Sequence, residues 1–235
     1  MKKTILLIAF AILTTGIMRS QDKAFEKGNI TFDLGAGFGL YGTKTHIEEN
    51  KYAYVWNGTG IEKVVVGKNT KDTTDGAGAG IFPLKVEYGV TNWLGIGARF
   101  AYSNWITERD SVSGLKAKAT SFDAGVMVNF HLVKSKRFDM PVSLTLGYSS
   151  FKYLSNDPLN GMAKDNGINY GIGLLPRIYF GDHVGMCFNI GYAGYSYPSL
   201  HFSNSNDSNL NDDNGWKQSI KGGGINLGIG LIGKF

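Results

Sequence analysis

His201 and Ser203 stand two residues apart, with the types and spacing of a general base and the hydroxyl it activates. Such a pair would serve ester or acyl cleavage, but the base needs a third group to orient it. No Glu follows Glu108, and only Asp207, Asp212 and Asp213 come after the pair. Gly37-Phe38-Gly39-Leu40-Tyr41-Gly42 has the spacing of a phosphate-cradling glycine loop. A dinucleotide site also requires a helix opening at the third glycine; Thr43-Lys44-Thr45-His46 follows instead, with no apolar helical period. Gly67-Lys68 precedes Asn69 where a nucleotide loop has Ser or Thr. Residues 203–215 (SNSNDSNLNDDNG) offer oxygen ligands to Ca²⁺ but lack the spaced acids and closing Glu of a dedicated loop. The single cysteine, Cys187, permits no internal disulfide and no Cys-rich metal centre. The expectation is therefore no catalytic residue, no cofactor and no metal.

A second set of reactive side chains is scattered along the chain: the acids Asp33, Glu87 and Asp123, and the bases Lys85, Arg99 and Arg177. What they can do depends on the elements that carry them. Period-two alternation marks strands at 29–42, 80–90, 94–104, 120–132, 140–150, 168–180, 184–194 and 219–235. In the first, Ile30, Phe32, Leu34, Phe38 and Leu40 alternate with Thr31, Asp33, Gly35, Gly37 and Gly39. In every segment one face is apolar, and the other holds glycine, small polar residues and isolated charges. All six charged residues fall on the glycine-rich face. A soluble sandwich would show bulky apolar residues inside and polar ones outside. The glycine-rich face suits instead the tight interior of a narrow barrel whose apolar face meets lipid.

Composition agrees. The chain of 235 residues is rich in glycine (33), poor in proline (5) and 13% aromatic, with a mean hydropathy of only −0.11. A disordered chain would lack the aromatics. Residues 1–20 read as a cleaved secretory signal: Lys2 and Lys3, then the apolar run Ile5–Leu13, then Thr14, Thr15 and Gly16. That run is too short for a membrane helix. Its removal lowers the formal charge from +5 to +2, because Lys2, Lys3 and Arg19 leave with it, so the basic balance is no nucleic-acid footprint. Connections alternate between short (91–93, 134–139, 181–183) and long (43–79, 105–119, 151–167, 195–218), the asymmetry of periplasmic turns and external loops. Within the first long connection, Tyr52–Trp56 and Ile61–Val66 flank Asn57-Gly58-Thr59-Gly60, a hairpin signal. If that hairpin joins the wall, the strand count becomes ten. Otherwise it projects beyond the membrane, where an exposed edge could pair with a partner strand.

The run Ile225-Asn226-Leu227-Gly228-Ile229-Gly230-Leu231-Ile232-Gly233-Lys234-Phe235 and the hairpin Tyr88-Gly89-Val90-Thr91-Asn92-Trp93-Leu94-Gly95-Ile96-Gly97, together with the leader–barrel layout, resemble the small eight-stranded outer-membrane barrel family. The resemblance covers nearly all of residues 29–235. It implies an assembly signal in the last strand at Leu227, Ile229, Leu231 and Phe235, and dealings with periplasmic chaperones and the barrel-assembly machinery. His201-Phe202-Ser203 is similar to the His-x-Ser pair of outer-membrane lipid A deacylases, without their downstream Glu.

The expected architecture is an all-β, closed antiparallel transmembrane barrel at 21–235, in contact with outer-membrane lipid. Tyr41, Tyr88, Trp93, Tyr102, Trp105, Tyr148 and Tyr192 are expected in its aromatic girdles. Charges in a narrow lumen must pair, so the six are expected to form a network that plugs the pore. The alternative is a selectivity ring in a narrow solute channel; equal numbers of each sign favour the plug. The leading function is a structural or surface-interaction role through the external loops, ahead of a channel and of a lipid-modifying enzyme. No particular extracellular partner is indicated.

Overall fold

The computed structural model describes residues 23–107, 117–154, 162–203 and 216–235, with the backbone alone at 202–203. The leader and nearly all of the Asn/Asp-rich stretch 203–215 lie outside the described residues. The strands are β1 (Ile30–Trp56), β2 (Ile61–Gly89), β3 (Leu94–Trp105), β4 (Lys118–Lys134), β5 (Phe138–Leu154), β6 (Met162–Leu174), β7 (Arg177–Tyr179), β8 (Val184–Tyr197), β9 (His201–Ser203) and β10 (Lys217–Lys234). No helix occurs among the described residues.

All pairings are antiparallel, and β10 pairs with both β8 and β1, which closes the sheet on itself. β6 and β7 form one wall strand interrupted at Leu175-Pro176; both lie between β5 and β8. Proline has no N–H to give to a ladder, which accounts for the break. β9 continues β8 beyond Pro198 and pairs with β6. Counted this way, the wall has eight strands. The ten-strand alternative is set aside, because residues 52–66 form the far ends of β1 and β2 rather than new wall strands.

Alternation decides which side chain meets which medium. Leu34 and Leu40 on β1 and Leu231 on β10 are each more than 60% exposed, as is Val126 on β4. A continuous apolar exterior of this kind would drive aggregation in water. Around a closed barrel it is the lipid-facing band of a transmembrane protein, and barrels of this type stand in bacterial outer membranes. Residues 90–93, 135–137 and 180–183 make short connections at one end, which also holds Lys23–Asn29 and Phe235. The opposite, external end carries the long excursions.

Two expected girdle residues belong elsewhere. Tyr41 is 3% exposed and packs in the lumen, and Trp105 packs against it. Period two puts both on the face opposite Leu40 and Tyr102. Tyr88, Trp93, Tyr102, Tyr148 and Tyr192 face outward and are exposed.

Candidate functional site

The lumen is filled in layers. Nearest the periplasmic end, β2 supplies Glu87, β4 His131, β5 Asp139 and β7 Arg177, all buried. Arg177 Nη2 donates to Glu87 Oε2 at 2.6 Å, and Nη1 reaches Asp139 Oδ2 at 3.4 Å. His131 bridges the same two acids: Nε2 lies 2.8 Å from Glu87 Oε1 and Nδ1 2.9 Å from Asp139. Thr31 Oγ1 donates to Glu87 Oε2 at 3.2 Å. An ionised carboxylate only accepts hydrogen bonds, so each needs donors on several sides in a dry interior. Glycine makes the room: a Cβ at Gly95 would collide with the Glu87 carboxylate.

Below this layer the segment 23–29 closes the periplasmic mouth. Phe25 is fully buried and stacks on His131, with ring centroids 3.3 Å apart and planes 8° from parallel. The segment is tied down by Ala24 N to Ser135 O (2.8 Å), Gly28 N to Gly89 O (2.8 Å) and Lys27 N to Asn92 Oδ1 (3.0 Å). Gly28, at φ +87°, makes the bend that carries the chain from the lumen to β1.

Above it, Lys85 Nζ lies 3.4 Å from Asp33 Oδ2, and Arg99 Nη1 lies 3.7 Å from Asp123 Oδ2. Ser149 Oγ donates to Asp123 Oδ1 at 2.5 Å, and Tyr195 OH reaches Oδ2 at 3.3 Å. A cavity of about 60 Å³ remains beside Lys85, Arg99, Asn169, Cys187 and Asn189, room for a few waters. The external end is shut by rings: Tyr41, Trp105, Tyr195, Tyr197 and Phe151 pack with centroid separations of 5.1 to 6.5 Å.

The structure thus places all six predicted charged residues in the lumen, but in three groups rather than one ring. Sequence reasoning missed Asp139, which lies one residue before the segment read as a strand, and assigned His131 only a polar lumen position. It also missed Phe25, whose segment has no periodicity. Cys187 is a buried free thiol. His201 lies in β9 opposite Lys164, and the side chain of Ser203 is not among those described. Leu227, Ile229 and Leu231 face lipid, while Phe235 closes the ring through backbone bonds with Ile30 in both directions (2.8 and 2.9 Å).

The second notable feature is the β1–β2 hairpin. Its ladder runs from Ile30↔Tyr88 to Trp56↔Ile61, with one irregularity at Lys51/Tyr52. Its neighbours stop early: β3 ends at Trp105↔Ala79 and β10 at Lys217↔Glu48. From Gly42 to Trp56 the strand covers roughly 45 Å. The turn is organised by Asn57, whose Oδ1 accepts from Thr59 N (3.1 Å) and Gly60 N (3.0 Å), and Gly58 takes φ +92°. Tyr54, Trp56 and Ile61 at the tip are 73%, 67% and 71% exposed. On the stem His46 Nδ1 lies 2.5 Å from Asp72 Oδ1 and Nε2 lies 3.4 Å from Glu48 Oε1. These hydrogen bonds, Asp72 first, raise the His46 pKa above 6.5.

No family model matches this sequence, and no curated protein matches it. Solved structures do match in fold. OprG from Pseudomonas aeruginosa aligns over 90% of this chain and 97% of its own, with a TM-score of 0.50 and 13% identity. The fold is that of the small outer-membrane β-barrel proteins. Other matches are weaker. Ail of Yersinia pestis, an attachment invasion locus protein, aligns over 89% of this chain and 99% of its own (TM-score 0.43, 15% identity). The outer membrane protease OmpT of Escherichia coli aligns over 90% and 98% (TM-score 0.42, 13% identity).

Proposed function

We propose that this protein is a non-enzymatic outer-membrane barrel with a closed lumen that works by surface contact through its projecting β1–β2 hairpin. The observation that carries the reading is the tip: large apolar side chains stand in the open at the end of a hairpin well beyond the bilayer, where burying them favours association. The filled lumen argues against solute passage. Buried ion pairs occupy its periplasmic half and packed rings its external half, so transport would require desolvated charges to separate.

The reading has two tests. Single-channel recording of the refolded protein in a planar bilayer should be silent with insertion confirmed. Steady, salt-dependent openings that change on Arg99→Ala would establish a channel instead. Cells displaying the protein should lose adhesion to their target surface when Tyr54, Trp56 and Ile61 are replaced by Ser, with barrel folding intact. Adhesion unchanged by that triple variant would remove the hairpin from the function.

A further inference from the structure

Along the β1–β2 hairpin the polarity changes abruptly. The stem, residues 43–51 and 67–75, carries Ile47 and no other large apolar side chain. Beyond it, residues 52–56 read YAYVW and residues 61–66 read IEKVVV. Each stem strand spans roughly 30 Å. Its ladder is unbroken from Thr43↔Asp75 to Lys51↔Gly67, so the apolar tip stands off from the bilayer that the barrel crosses.

The register sorts the tip side chains by face. Trp56 lies opposite Ile61, Tyr54 opposite Lys63 and Tyr52 opposite Val65; on the reverse face Val55 lies opposite Glu62 and Ala53 opposite Val64. Tyr54, Trp56, Ile61 and Val65 are exposed on the first face, and Val55 and Val64 on the second. A ribbon that docks on a protein buries one face and leaves the other polar, as half-buried antiparallel strands do. Apolar residues all round an element mark one that its surroundings enclose. At the end of a free-standing hairpin, a lipid surface encloses both faces at once.

The turn does not oppose such contact. Asn57 N donates to Gly60 O at 3.0 Å, and Asn57 Oδ1 accepts from Thr59 N, Thr59 Oγ1 and Gly60 N at 3.1, 2.9 and 3.0 Å. These polar groups leave water with partners already in place. Between residues 50 and 68 the charges are Lys51, Lys63 and Lys68 against Glu62, a balance suited to anionic headgroups. Lys63 Nζ lies 3.8 Å from the centroid of the Tyr52 ring, an aromatic and a cation together as at membrane interfaces. The depth of entry is bounded. Among the described residues, β1 beyond Glu48 and β2 before Ala79 have no outer neighbour, and unpaired backbone groups do not enter hydrocarbon.

We propose that the hairpin tip inserts Tyr54, Val55, Trp56 and Ile61 into the headgroup layer of a phospholipid membrane other than the one the barrel spans. This inference rests on the hairpin reading above and names the surface contacted as lipid rather than a protein receptor.

The test mixes the refolded chain in nanodiscs with protein-free vesicles of phosphatidylcholine and phosphatidylserine and separates bound from free by flotation. The parent should float with the vesicles. Bromine placed on the vesicle acyl chains close to the headgroups should quench a tryptophan signal that Trp56→Phe removes. Tyr54→Thr/Trp56→Thr on one face should weaken binding roughly tenfold or more, and Val55→Thr/Val64→Thr on the other several-fold, following the apolar area withdrawn from lipid. Threonine keeps the strand propensity of the ribbon, and Tyr54→Phe/Ile61→Leu should bind like the parent. Vesicles left unbound by the parent, or a loss confined to the variants of one face, would overturn the proposal. If vesicles stay unbound while the Ser variant of Tyr54, Trp56 and Ile61 still lowers adhesion to cells, the target is a protein and the hairpin keeps its role. Adhesion that this Ser variant leaves unchanged removes the hairpin reading, and this proposal with it.

Discussion

Arg177→Met tests whether the lumen network holds the barrel together. Arg177 is fully buried and serves two acids, Glu87 at 2.6 Å and Asp139 at 3.4 Å. Without it, Glu87 keeps His131 and Thr31, but Asp139 keeps His131 alone. One buried negative charge is then left without compensation. Removing one partner of a buried pair costs about 3–5 kcal/mol, whereas replacing both with apolar groups of like volume is often neutral. The single variants Arg177→Met and Glu87→Leu should each lose that amount, and the double variant should lose far less than their sum. The assay is urea unfolding of the refolded barrel in lipid vesicles, followed by tryptophan fluorescence and gel mobility. With a typical m-value the single losses move the midpoint by roughly 1–2 M urea. An Arg177→Met change within about 0.5 kcal/mol, the scale of an ordinary surface substitution, would refute the reasoning. Strict additivity in the cycle would equally show that the pair is not coupled.

Val126, outward and 63% exposed in the middle of β4, should lose about 2–4 kcal/mol on replacement by Arg if it faces the bilayer midplane; the same unfolding assay with no loss would invalidate the register. Phe25→Ala should cost about 3 kcal/mol as a large-to-small change at a buried site, and hydrogen exchange of Lys23–Asn29 should rise with it; unchanged protection would mean the segment is held without its ring. Gly95→Ala should destabilise by displacing the Glu87 carboxylate, and should become nearly harmless in a Glu87→Ala background, so equal effects in both backgrounds would contradict the geometry. Hydrogen bonds from Asp72 and then Glu48 raise the His46 pKa, while Lys68 and then His46 lower that of Glu48, and His46 and then Lys44 lower that of Asp72. The His46 contribution to stem order is therefore complete below pH 6.5 and lost as pH rises through its raised value. The carboxylate contributions are lost in acid, below their ordinary values of 4.5 and 3.8. An NMR titration of His46 should show a midpoint above 6.5 that falls on Asp72→Asn; a midpoint at or below 6.5 would break the assignment.

The wall was legible because lipid and lumen impose opposite demands on alternate residues, so the strand segments from 29–42 to 219–235 carry their own parity. That parity places Asp33, Lys85, Glu87, Arg99, Asp123 and Arg177 indoors. It does not say who meets whom: Arg177 and Glu87 are 90 residues apart, and their contact follows from register and barrel shear. Tyr41 shows how composition can mislead where parity does not, since an aromatic near a strand end looks like a girdle residue on either face. The far halves of β1 and β2 were hard to read as continuous wall strands, because beyond the membrane neither face meets lipid or a packed interior. Alternation fades there although the ladder continues.

Glycine abundance and lumen closure follow from one constraint. An eight-stranded barrel is just wide enough for its interior to be filled by side chains. Large groups fit only where a neighbouring residue has no side chain. A Cβ at Gly95 would strike Glu87, one at Gly39 the ring of Tyr41, and one at Gly167 would come within 2.8 Å of the ring of Tyr197. Glycine on the inner face therefore does not mark an open pore; it marks the volume taken by an Arg, a Glu or a tyrosine on the next strand or two residues along. The outer face shows the same device, where Tyr192 lies over Gly223 and Tyr170 over Gly194. A filled interior makes the wall rigid, and a rigid wall can carry a hairpin that has no second neighbour beyond Glu48 on β1 and before Ala79 on β2.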